Sequence, residues 1–192
     1  MQFCSDGIDK ESLWLSISSH QIGPKNARYS FVKRLASESS WSIRFAEKAL
    51  HEYKRFIYLL CVSSHPVTPS AQVDQVWHLH LLYTHDYWDD FAPKLNKRPH
   101  HCPTEGGSFE NQKFKDYYQK TLDSYVYFFK EKPPLEFWPV PSIRFQSLEY
   151  LNRVDLDHFV VLPRNHLKIL AIMLALSLLF YGYISFSFDS LL

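Results

Sequence analysis

Apolar residues along most of this chain recur every three or four positions and almost nowhere alternate, so the pattern predicts helices rather than strands. The spacing predicts a first helix over 9–18, with Leu13 and Ile17 on one face and Trp14 and Leu15 flanking it, closing before Gly23-Pro24. A second is predicted over 26–38 around Phe31 and Leu35, giving way to a serine-rich turn at 37–40. The third is the clearest: Phe45, Ala49, Tyr53, Phe56, Ile57 and Leu60 recur at helical spacing over 42–63, which makes it the expected centre of the core. His65-Pro66 and Thr68-Pro69 break the chain. Ser70 is then a good N-cap for a fourth helix carrying Val73, Val76, Trp77, His80, Thr84, Tyr87 and Phe91. A loop over 94–107 leads to a fifth helix over 108–130, with Phe114, Tyr117, Tyr118, Leu122, Tyr125 and Phe129 facing inward, stopped by Pro133-Pro134. The stretch 133–141 is too rich in proline for a helix or a central strand and is expected to lie extended, inserting Phe137 and Trp138.

The C-terminal pattern is different. After Arg164, His166 and Lys168, residues 169–188 contain no charged side chain. About 20 residues at ~1.5 Å each span ~30 Å, the thickness of a bilayer's hydrocarbon core. The expected architecture is therefore all-α: a helical domain of about five helices over 1–139, a juxtamembrane linker over 140–166 with a short helix near 147–154, and a transmembrane helix over 167–188 that partitions into the lipid bilayer. Arg153, Arg164 and Lys168 precede the span and no basic residue follows it, so the positive-inside tendency puts the N-terminal domain in the cytoplasm. Residues 1–10 lack the apolar stretch of a signal peptide, which leaves insertion to the C-terminal run.

Composition narrows the function classes. A net charge of +1 lacks the excess of a general nucleic-acid binder, so no nucleic-acid partner is expected. The 17% aromatic content implies a core built from large rings. Cys4, Cys61 and Cys102 are odd in number and show no paired metal spacing, as in a reducing compartment.

The candidate chemistry lies in the fourth helix and the loop after it. Of ten histidines, seven fall between His51 and His101, grouped around Trp77-His78-Leu79-His80, His85 and His100-His101. Imidazole clusters are the usual raw material of metal sites. On a regular helix at ~100° per residue, Asp74, His78, His85 and Asp89 share an arc about 60° wide, while His80 lies about 160° from His78 on the apolar face. His78 and His80 therefore cannot chelate one ion together. Either His80 points inward to meet His100 or His101, or the outward pair Asp74/His78 does the work, with Asp74 as a ligand or as a carboxylate that orients His78. The candidate ligands of a divalent metal such as zinc are Asp74, His78, His80 and His101, with Trp77, His100 and Thr104 beside them. Each has a plainer reading: a core histidine for His80, an exposed helix pair for Asp74/His78, a turn for His100-His101.

Other motifs add little. The glycines of 103–108 could let backbone N–H groups approach an anion at the fifth helix's start, but the stretch matches neither a Walker A nor a dinucleotide fingerprint and reads equally as a turn with Ser108 as N-cap. Cys102 beside His101 has the residue types of a thiolate–imidazolium pair, though sequence adjacency rarely gives that geometry. No G-x-S-x-G, H-E-x-x-H or C-x-x-C is present.

The run His51-Glu-Tyr-Lys-Arg-Phe56, then Val67-Thr-Pro-Ser70, Val73-Asp-Gln-Val-Trp-His-Leu-His80, Tyr83-Thr84, Tyr87-Trp88, His100-His101, Pro103-Thr104, Gly106-Gly107, Pro133-Pro134 and Trp138-Pro139 resembles the domain of the glycine-rich domain-containing protein family and its bacterial relatives. The resemblance covers roughly 30–139 and implies a helical domain, without catalytic residues to carry over. Plant members similar across this string bear a glycine-rich tail and are linked to RNA; this chain has a charge-free C-terminal run instead. The expected function is a membrane-attached accessory or interaction module with a membrane or cytoplasmic protein partner. The rival is a metal-dependent enzyme such as a hydrolase, in which Asp74, His78 or His80, and His101 hold the ion under the loop 94–107. A pH-sensing switch is a third class.

Overall fold

A computed structural model describes residues 9–24, 26–95, 97–101 and 108–145, together with 166, 168–169 and 171–177. The chain divides into two compact units, Met1–Gln146 and Ser147–Leu192. The described residues are helical and contain no strand.

In the first unit the first four helices begin where a polar side chain accepts from a free N–H of the first turn. Asp9 caps α1 (Lys10–Ser18) through Glu11 N–H, and Leu13 and Ile17 are its buried face. Ser30 caps α2 (Phe31–Glu38), several residues later than the apolar spacing predicts, because its hydroxyl accepts from Lys33 N–H. Ser42 caps α3 (Ile43–Val62), which buries Ala46, Ala49, Tyr53, Phe56 and Ile57 and packs against α1, α2, α4 and α5. Ser70 caps α4 (Ala71–Leu82) with its hydroxyl 3.2 Å from Val73 N.

The fourth helix does not run on to Phe91 as the periodicity predicts. It breaks at Tyr83, where ψ is 60°, and the chain resumes as a π-helical turn (Asp86–Phe91) and a 3₁₀ turn (Ala92–Leu95). The break leaves room for the loop between α1 and α2. Gly23, at φ 75°, sits so close to Tyr83 that an added Cβ would stand 3.0 Å from the ring, and its N–H donates to the Asp86 carboxylate at 2.8 Å. Such a φ favours glycine.

α5 (Ser108–Phe129) turns Tyr118, Thr121 and Tyr125 into the core. Beyond it the proline-rich stretch inserts Phe137 and Trp138, both almost fully buried, and ends in one turn of helix, α6 (Pro141–Arg144), at a place read from sequence as linker. Glu52 of α3 holds these pieces together. Its buried carboxylate accepts from Tyr125 O–H at 3.0 Å and Trp138 Nε1–H at 2.8 Å, and Arg55 lies 3.6 Å away, itself bonded to Tyr125 and Glu131. A buried carboxylate is tolerable only when its oxygens are engaged in this way.

In the second unit, residues 171–177 are helical, and Ile172, Met173, Leu174 and Leu176 are exposed. No helix among the described residues is long and apolar enough to cross a membrane. Much of the expected span 167–188, and the short helix expected near 147–154, lie outside the described residues.

Candidate metal centre

α4 presents two opposite faces, and each meets a different histidine cluster. On the outer face, Asp74 and His78 lie one turn apart and His101 comes to them from the segment after the 3₁₀ turn. His101 Nε2 is 2.8 Å from Asp74 Oδ1 and 3.0 Å from His78 Nε2, and His78 Nε2 is 3.7 Å from Asp74 Oδ2. Two buried rings fix His101 in this position. Trp77 packs edge-on against its imidazole, with centroids 4.7 Å apart, and Trp77 Nε1–H donates to Tyr87 Oη, whose own proton goes to the Pro99 carbonyl two residues upstream. The group is partly open: the side chains of His78, Asp74 and His101 are 58%, 29% and 19% exposed.

Two of these separations, 2.8 and 3.0 Å, are hydrogen-bond distances, and all three lie near the about 3.4 Å that separates two donors ~2.1 Å from a tetrahedral zinc. A neutral imidazole has one N–H. With two Nε2 atoms and a carboxylate converging, a single proton on His101 Nε2 serves both neighbours poorly, whereas a dication takes a lone pair from each.

On the inner face His80 joins His20 and Asp86. Lys94 Nζ donates to His20 Nδ1 at 3.0 Å, His20 Nε2–H donates to Asp86 Oδ1 at 3.0 Å, His80 Nε2–H donates to the same oxygen at 2.8 Å, and Tyr53 O–H donates to His80 Nδ1 at 2.8 Å. Asp86 Oδ2 takes the Gly23 N–H. Ligand atoms of His20, His80 and Asp86 also lie near enough together for a metal. The hydrogen bonds, however, close without one. An ammonium can only donate, so Lys94 fixes the His20 proton on Nε2, the atom a metal would need. Burial pushes the His80 pKa down to about 4, against the pull of Asp86, so this ring is neutral near pH 7. Burial acts to raise the Asp86 pKa, but the hydrogen bonds from His20, Gly23 and His80 outweigh it and hold the carboxyl below its ordinary range. Tyr53 is well above the usual phenol value because it is fully buried and faces Tyr87 and Asp86.

The candidates named from sequence therefore divide. Asp74, His78 and His101 come together, while His80 turns away from them to a partner set invisible in the local pattern: His20, Tyr53, Asp86 and Lys94. His85 and Asp89 do not share the outer site, because the break at Tyr83 carries them off the arc of a regular helix. They bond to each other, at 3.0 Å on the surface. His100 lies against Trp88 with centroids 5.6 Å apart. Cys102, Thr104 and the glycines at 106–107 lie outside the described residues.

Residues 9–90 match the glycine-rich domain-containing protein-like family. Over this stretch the chain is similar to that family. The matched part begins earlier and ends sooner than the motif resemblance indicates, running from the cap of α1 into the π-helical turn. The family's domain thus carries Asp74, His78 and the whole of His20, His80 and Asp86, while His101 comes from beyond it. No curated protein and no solved structure matches the chain.

Proposed function

We propose that this chain is a membrane-tethered accessory module whose glycine-rich domain-containing protein-like domain binds one divalent metal ion, such as zinc, through Asp74, His78 and His101. The observation that carries the reading is the convergence of two imidazole nitrogens and a carboxylate oxygen, all within 4.8 Å of one another, at a partly solvent-accessible point. The tether is the charge-free run 169–188, preceded by Arg164 and Lys168 on the side expected to stay cytoplasmic. In this reading the domain meets a membrane or cytoplasmic protein partner near the bilayer, and the ion serves recognition.

Elemental analysis of the full chain, purified in mild detergent, tests the metal. We expect close to one equivalent of a transition metal, falling to background in Asp74→Ala and His101→Ala but kept in Tyr53→Phe, which alters only the inner cluster. A wild-type chain that stays metal-free after incubation with zinc, or variants that bind as well as wild type, would remove the proposal.

A further inference from the structure

Ser124 differs from the other hydrogen-bonded serines of the helical unit in what its hydroxyl meets. Ser30, Ser42 and Ser70 accept from backbone N–H groups at helix starts, and Ser18 and Ser19 donate to the Leu15 carbonyl. Ser124 lies in the interior of α5, where a hydroxyl ordinarily points to solvent or bonds back to its own helix. Thr121, one turn earlier, does bond back, donating to the Tyr117 carbonyl at 2.8 Å while it accepts the Thr68 N–H at 2.9 Å. Ser124 Oγ instead lies 2.8 Å from Nε2 of His65, which sits in the segment joining α3 to α4, and both side chains are partly buried.

The other ring nitrogen decides the direction of that bond. His65 Nδ1 is 2.9 Å from the Pro66 carbonyl, which can only accept, so the proton of the neutral ring sits on Nδ1. Nε2 then presents a lone pair, and the Ser124 hydroxyl must donate to it. This is the arrangement of an activated nucleophile: a hydroxyl, a base, and a third group that fixes the tautomer of the base. His20, His80, His85 and His101 each face a carboxylate, whereas His65 faces a carbonyl and a hydroxyl. A carbonyl orients the ring but supports an imidazolium less than a carboxylate would.

We propose that Ser124 and His65 form a nucleophile–base pair that takes up the acyl group of an activated ester, a chemistry independent of the metal centre. Ser124 Oγ attacks the ester carbonyl carbon while its proton passes to His65 Nε2. The carbon–oxygen bond to the leaving group then breaks, and the proton goes from Nε2 to the leaving oxygen or to water. The acyl group ends as an ester on Ser124, with the ring neutral again. Backbone N–H groups in the interior of a helix bond within it, and a missing oxyanion donor costs ~10²–10³ in rate. Uptake is therefore slow and stoichiometric, and it favours esters with good leaving groups.

The test treats the full chain in mild detergent with p-nitrophenyl acetate and maps the acetyl groups by tandem mass spectrometry, with the exposed Ser19 as internal standard. We expect Ser124 to be acetylated well ahead of Ser19 at pH 8. The lead should shrink at pH 5, because a protonated ring carries a hydrogen on Nε2 and cannot accept one. His65→Gln should slow the labelling of Ser124 at least about tenfold, and Ser124→Ala should remove the matching release of p-nitrophenolate; thermal unfolding shows whether each variant folds. If wild-type Ser124 is labelled no faster than Ser19, the pair merely stitches the inter-helix segment to α5 and the proposal is overturned. Labelling of Ser124 at the wild-type rate in folded His65→Gln overturns it as well. Should His65→Gln fail to fold, the wild-type pH profile decides: a lead of Ser124 over Ser19 that is equal at pH 5 and pH 8 refutes the base.

Discussion

At the residue scale, two histidines separated only by Leu79 have opposite chemistry because they stand on opposite faces of one helix. His78 is over half exposed and faces Asp74 and His101; His80 is fully buried and neutral. That separation could be read from helical periodicity alone. The partners of His80 could not, since His20 is 60 positions away in an irregular stretch and is brought in by tertiary contacts with Asp86, Phe91 and Lys94. The burial of His80 has a pH consequence. In the unfolded chain the ring titrates near 6.5 and in the folded one near 4, so between these values the unfolded state holds more protons. The contribution to stability is complete above about pH 6.5 and is lost as the pH falls toward 4, on the order of 3 kcal/mol in all. Urea denaturation at pH 7 and pH 5 should show the decline, and an imidazole NMR titration should place the His80 midpoint near 4. A midpoint at or above its ordinary value would contradict the account.

At the scale of elements, the apolar spacing of α3 was the most legible feature. Ser70 announces α4, and the buried tyrosines of α3 and α5, Tyr53, Tyr118 and Tyr125, stand where the spacing indicates. What local pattern hides is the end of α4, where residues that continue the periodicity, Thr84, Tyr87 and Phe91, are reached through a break and a π-helical turn. The inward placement of Tyr87 and Phe91 survives, but the outward arc does not, and His85 and Asp89 leave the candidate site with it. α4 is thus a short helix that depends on its first turn, where Ser70 is wholly buried. Ser70→Ala should cost about 1–2 kcal/mol in urea unfolding. Because Asp74 and His78 ride on the same helix, it should weaken metal binding in parallel. A stability change under ~0.3 kcal/mol would mean that the cap does not hold the helix.

At the scale of the whole molecule, the apolar run near the C-terminus makes the boldest demand. If residues 169–188 partition into lipid, the chain remains in the membrane pellet after a carbonate wash. Introducing Ile172→Lys with Leu176→Lys, each costing ~2.5–3.5 kcal/mol at a helix centre in the bilayer, should move it to the supernatant. Wild-type chain recovered there without detergent would end the tether. The helical unit carries a second lesson, in Glu52. Its two best donors, Tyr125 and Trp138, lie 73 and 86 positions further along, well past residue 90 where the family match stops. A polypeptide trimmed to that match would strand a carboxylate in a half-built interior and leave Phe56 without the indole that roofs it. A fragment ending at residue 90 should therefore unfold at a lower urea concentration than one that reaches residue 145, since only the longer one keeps the groups that close over Glu52.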